Sequence, residues 1–177
     1  MTKTQYYVAS SLDGFIADRE NSLDWLMQFG FDTFAEHYER FLADVGAVIM
    51  GADTYEFVLN DASEWGYAMP AWVFTHRELP GIDGADIRFT QSDVVAVLAE
   101  ARAAAGEKNV WVIGGGNLAA QFANAGLLDE LLVTIMPIVL GEGRALLPLD
   151  ANTALTALGT TAFDGGAIEL RYAVQQR

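Results

Sequence analysis

Hydrophobic and polar positions along the chain follow two alternating rhythms. Short β-type runs occur at residues 4–10 (TQYYVAS), 46–50 (GAVIM), 71–75 (AWVFT), 86–90 (DIRFT) and 109–113 (NVWVI). GAVIM and NVWVI are apolar at nearly every position, the pattern of strands covered on both faces. Residues 32–44 (DTFAEHYERFLAD) instead place Phe34, Tyr38, Phe41 and Leu42 at helical spacing, with Asp32 as the expected N-cap. GADTYEFVLN predicts a helix opening behind Gly51. SDVVAVLAEARAAAG predicts a helix capped by Ser92 and stopped by Gly106, and GGGNLAAQFANAG predicts one ending at Gly126. LLDELLVTIMPIVLG begins as a strand that Pro137 breaks. From about Ala162, TAFDGGAIELRYAVQQ reads as one or two antiparallel strands with a Gly-Gly turn.

Strand and helix alternate through two thirds of the chain, and strands dominate the last third. That order predicts one α/β domain over residues 1–177, its sheet mostly parallel with an antiparallel C-terminal edge. Ligands of such sheets collect at the carboxyl ends of the strands. Three junctions are marked: after Met50, after Phe74 and after Ile113.

Composition narrows the chemistry. A chain of 177 residues that is 52% hydrophobic can build one full core. No apolar run approaches the ~20 residues of a membrane span, and MTKTQYYVASS lacks the build of a secretory signal, so a cytoplasmic protein is expected. The absence of cysteine excludes disulfides, thiolate catalysis and Cys-based metal sites. No His/Asp/Glu set has metal-ligand spacing, and no G-x-S-x-G elbow is present. A formal net charge of −14 repels nucleic acid and anionic membranes, so neither is an expected partner. An anionic ligand would have to be held by local devices such as helix N-termini or a few placed arginines.

The triple glycine at 114–116 is the strongest local signal. A tight strand-to-helix connection needs one glycine; three at a strand's carboxyl end favour close approach by a phosphate. Gly114, Gly116 and Ala119 also satisfy G-x-G-x-x-G/A, but the next strand brings no acidic residue for a ribose hydroxyl. Amides of residues 115 to 118 would face the phosphate. Gly51 with Asp53 and Thr54 fits an ordinary helix start or a second anion site. Thr75, His76 and Arg77 fit either a solvated loop or a third.

The ordered set SLDGFIA, VIMGADTYE, VFTHRELP, VWVIGGGNLAAQF and DELLVTIMPIVLGEG resembles the dihydrofolate-reductase-like families. Within them it is most similar to the reductase domain of the riboflavin-biosynthesis deaminase–reductase (RibD C-terminal), in stand-alone form. The resemblance covers nearly the whole chain and implies a dihydrofolate-reductase-like mixed sheet with helices on both faces. It also implies NADPH as cofactor and a pyrimidine- or pterin-like substrate, as in 5-amino-6-(5-phosphoribosylamino)uracil reductase. It sets Ala9 and Ile16 beside the nicotinamide, and Gly51 and Thr54 at a helix start holding phosphates. Thr75, His76 and Arg77 come near the adenosine 2′-phosphate, where Arg77 would select NADPH. Gly114, Gly115, Gly116, Asn117 and Leu118 cradle the diphosphate and ribose. Ala52 stands where many relatives carry a basic residue.

Around that frame, Asp13 is a candidate polar contact or proton relay, or simply the first residue of an Asp-Gly turn. Trp25, Phe29, Phe31 and Phe34 would wall a pocket for a flat heterocycle, or form plain core. The resemblance sets Asp32 or Glu36 near a substrate-holding carboxylate, though an N-cap and a solvated face are their plainer readings, and Thr134 matches a threonine that assists that carboxylate. A homodimer is expected, with LLVTIMPIVL as the run suited to pairing with a second copy. The alternative to an enzyme is a non-catalytic nucleotide- or flavin-binding dimeric module on the same fold.

Overall fold

The computed structural model describes residues 2–61 and 65–175. Its main sheet has eight strands. In chain order these are β1 (Thr4–Ser11), β3 (Val45–Gly51), β4 (Ala71–Phe74), β5 (Ile87–Thr90), β6 (Asn109–Gly114), β7 (Glu130–Met136), β9 (Leu155–Ala162) and β10 (Ile168–Val174). They lie side by side as β5-β4-β3-β6-β1-β7-β10-β9. Every neighbouring pair from β5 to β7 is parallel, and β10 pairs antiparallel with both β7 and β9. The mixed sheet with an antiparallel C-terminal edge is therefore present. Two short strands, β2 (Phe15–Ala17) and β8 (Arg144–Ala145), form a separate antiparallel pair.

Side-chain alternation divides the core. From β3, Ala47 and Ile49 point to one face and Val48 and Met50 to the other. The first face carries the helices α4 (Val94–Ala105) and α5 (Gly116–Asn124), which bury Val97, Leu98, Ala101, Leu118 and Phe122. The second carries α2 (Ala35–Ala43) and α3 (Ala52–Asp61), whose Tyr38, Phe41, Leu42 and Tyr55 pack around Trp111. A one-turn helix, α1 (Asp24–Met27), lies ahead of α2.

Local chemistry shifts several predicted ends. Asp32 caps nothing: Asp32–Phe34 form a 3-10 turn, and α2 begins only at Ala35 without a side-chain cap. The cap of α4 is Asp93 instead of Ser92, its carboxylate accepting the amides of Val95 and Ala96. Strand β9 begins at Leu155, seven residues ahead of the expected start, because its side chains are nearly all exposed and leave no alternating pattern. Gly165 and Gly166, at φ 88° and 92°, make the β9–β10 turn, a conformation glycine adopts most readily. The LLVTIMP run lies in β7, hydrogen-bonded to β1 on one side and β10 on the other, so it offers no edge to a second copy. No helix among the described residues is long and apolar enough to cross a membrane.

Candidate active site

A single cleft of about 1270 Å³ runs across the carboxyl ends of β4, β3, β6, β1 and β7. All three glycine or hydroxyl junctions marked in the sequence open onto it. Gly51, Thr54, Thr75, His76 and Gly114 through Leu118 line one end. Ala9, Ile16, Phe31, Phe34, Tyr38, Trp111 and Thr134 line the rest.

The glycine turn is built for close approach. Gly114 has φ +142°, and the Gly114–Gly115 peptide is cis. A side chain on Gly116 would collide with the Ala145 carbonyl at 2.2 Å, so α5 starts pressed against β8. The first-turn amides of α5 have no partner four residues back, and no side chain caps them. Leu118, expected to offer its amide to a phosphate, instead turns it onto the Gly115 carbonyl, as does Ala119, so the amides of Gly115, Gly116 and Asn117 are the ones left at the helix start. The helix dipole adds a partial positive charge at the same point.

Beside β4 at this same end, Thr75 is buried, and its hydroxyl closes a turn by accepting the Arg77 amide at 2.9 Å. The Arg77 side chain does not line the cleft. Its guanidinium is held in a bidentate pair by Glu56 at 3.0 and 2.7 Å, with Asp53 at 3.5 Å. The expected phosphate-selecting role of Arg77 thus meets a prior commitment to carboxylates. Hydroxyl and amide groups of Thr90, Gln91 and Ser92 line this end instead.

Two further expectations change. Asp13 lies outside the cleft: its carboxylate accepts the Ser11 hydroxyl at 2.6 Å and the amides of Leu140 and Gly141. It fastens a loop and has no route to the cleft. Trp25 is buried with Met136 and Ala167 in a small core, and Phe29 packs on the same cluster. Phe31 and Phe34 do face the cleft.

Sequence reasoning gave no role to Tyr7, Glu39 or Arg144, and weighed Asp32 as a helix cap or a substrate-holding acid. Tyr7 lines the cleft, takes a hydrogen bond from Thr134 and gives one to the buried Glu169, which lies 2.9 Å from His37 Nε2. Burial first, and the Glu169 charge second, push the Tyr7 hydroxyl well above the usual tyrosine range, so it stays protonated. Asp32 and Glu39 line the aromatic end as carboxylates without an ion pair among the described residues. Arg144 lines the cleft beside the glycine turn. Seven of the other eight described Lys and Arg residues bind a carboxylate, whereas Arg144 binds none. A two-residue strand gives no periodicity, so β8 and its arginine could not be foreseen.

The sequence profile of the RibD C-terminal domain matches residues 2–168. The chain belongs to the RibD C-terminal domain family. Protein YwjB of Bacillus subtilis (strain 168) is 34% identical over 175 residues, covering 96% of this chain and 97% of YwjB. Among solved structures, a pyrimidine reductase-like protein of Corynebacterium diphtheriae superposes with a TM-score of 0.73 at 15% identity, covering 99% of this chain and 93% of that one. Dihydrofolate reductase from Enterococcus faecalis, solved with NADP(H), gives 0.66 at 14% identity over 98% and 97% of the two chains. At 15% and 14% identity these likenesses show the fold, a dihydrofolate-reductase-like mixed sheet.

Proposed function

We propose that the protein is an NADPH-dependent reductase of a small flat heterocycle. The observation that carries the reading is one continuous cleft joining two unlike ends. One end offers main-chain amides at a glycine turn; the other offers aromatic walls over a hydroxyl-bearing floor. A dinucleotide needs the first, and a flat ring to be reduced needs the second.

The residues present fit a dinucleotide. The open backbone at Gly115, Gly116 and Asn117 would take the diphosphate, with Arg144 beside it. Thr54 stands 3.8 Å from the point where a Gly114 side chain would begin, so the space between α3 and the turn is narrow and polar. Thr75, His76 and Ser92 would meet the adenosine end and its 2′-phosphate. Ala9 and Ile16 would bound the nicotinamide. When bound, the coenzyme supplies hydride; the protein supplies position and exclusion of water. Tyr7 and Thr134 hold hydroxyl protons at the cleft floor, backed by Glu169.

Isothermal titration with NADPH and NADP+, followed by NADPH consumption with pyrimidine and pterin substrates, tests the reading. Binding that favours the 2′-phosphorylated coenzyme, with turnover on one of the rings, is expected. Absence of heat with every pyridine coenzyme would overturn it.

A further inference from the structure

We infer that the substrate of this cleft carries no phosphate: it is an uncharged or cationic flat heterocycle. The inference rests on the reductase reading above and on the distribution of charge along the cleft.

Apart from three tyrosines, five acidic or basic side chains line the described cleft: Asp32, Glu39, Asp53, His76 and Arg144. The two basic ones sit where the coenzyme would. His76 follows β4, and β4 is separated from β7 by β3, β6 and β1. Four strand spacings put His76 about 19 Å from the Thr134 floor. Arg144 is tied to the glycine turn on both sides. Its backbone partner in β2 is Ala17, and the carbonyl of the next residue, Ala145, presses on Gly116. Its backbone therefore lies beside the glycine turn, where the diphosphate would sit.

The aromatic end has the opposite character. It is bounded by Phe31, Phe34, Tyr38, Tyr67 and Trp111, with Tyr7 and Thr134 as its floor. Among the described lining residues, its only acidic or basic side chains are Asp32 and Glu39, seven residues apart on one side of the turn and helix they occupy. The nearest arginine on that helix, Arg40, is engaged by Glu36 at 3.0 Å. Residues 62–64, outside the described set, are Ala, Ser and Glu and bring no base. A phosphate dianion at this end would lose its hydration, gain no guanidinium or ammonium from the described lining, and approach two carboxylates in a protein already at −14. Ring N–H and amino donors would meet acceptors instead.

The test loads the protein with NADP+ and then titrates two pairs of rings that differ only in a terminal phosphate. One pair is riboflavin and riboflavin 5′-phosphate; the other is 5-amino-6-ribitylaminouracil and its 5′-phosphate. The unphosphorylated member of a pair should bind about tenfold tighter or more at low ionic strength, and salt should narrow the gap. The double variant Asp32→Asn, Glu39→Gln should narrow it as well, with circular dichroism verifying the fold. Equal or tighter binding of the phosphorylated members overturns the inference while leaving the coenzyme reading intact; so does failure of all four to bind. If NADP+ itself does not bind in the first titration, the coenzyme reading falls, and this inference with it.

Discussion

The carboxylate of Asp13 accepts the amide of Gly141 at 2.7 Å, joining two loops 128 residues apart in the chain. The same carboxylate takes the Leu140 amide at 3.1 Å, so the segment leading to β8 hangs from it. Asp13→Ala should lower the melting temperature while NADP+ still binds. The pH dependence has a defined sign. The Ser11 hydroxyl, opposed by slight burial and supported by the two loop amides, holds this carboxyl below its ordinary value. A depressed carboxyl stabilises the fold fully above the unfolded value of roughly 4 and loses that contribution as pH falls through the folded value. The melting-temperature gap between wild type and Asp13→Asn should therefore be constant above about pH 5 and shrink in more acidic buffer.

Gly116 has no room for a methyl group. The Ala145 carbonyl would lie 2.2 Å and the Leu146 carbonyl 2.8 Å from a new Cβ, and both are backbone atoms that cannot swing aside. Gly116→Ala should cost ~1–3 kcal/mol in chemical denaturation. It should also weaken NADP+ binding by more than Gly115→Ala does, because Gly115 would meet only the Ile16 side chain, at 3.9 Å.

Arg144 and Arg77 separate a free cation from a committed one. Arg144→Ala should weaken NADP+ about tenfold in low salt, the loss of one charge-assisted contact. Arg77→Ala breaks an exposed pair with Glu56 and should change binding by less than about threefold, with little effect on stability. The reverse ranking would return the phosphate contact to Arg77.

Glu130 is the buried carboxylate of the β7 start, held by Lys3, Gln5 and Arg171. Burial pushes its carboxyl up, but the hydrogen bonds from those three residues outweigh it, and the net direction is down. Glu130→Ala leaves Lys3 and Arg171 without their anion. Both keep nearly half of their side chains in water, so the cost should be about 2 kcal/mol, below that of a fully buried pair. Acid should erase this contribution as pH falls through the lowered value.

What the sequence disclosed, and what it hid, follows from range. The strand and helix order was legible because each element carries its own periodicity, and the GGG turn because glycine at a strand end has a local steric meaning. Asp93 was hidden by Ser92, an equally good cap one residue away. Asp13 looked catalytic because nothing near it in sequence names Leu140 and Gly141 as its partners. Trp25 and Phe34 belong to one small cluster, but only tertiary packing buries Trp25 within it and leaves Phe34 on the cleft wall. The Tyr7, Glu169 and His37 contacts join three elements that share no sequence neighbourhood.

The cleft draws its lining from as early as Tyr7 and as late as Pro148. No contiguous fragment of the chain owns a usable portion of it. A bound dinucleotide would touch the first strand and the late β8 turn at once, stitching distant parts of the polypeptide together like a basting thread. Affinity for coenzyme would then report on whether the whole sheet has assembled, and a rise in melting temperature upon its addition would mark every correctly folded molecule in a preparation.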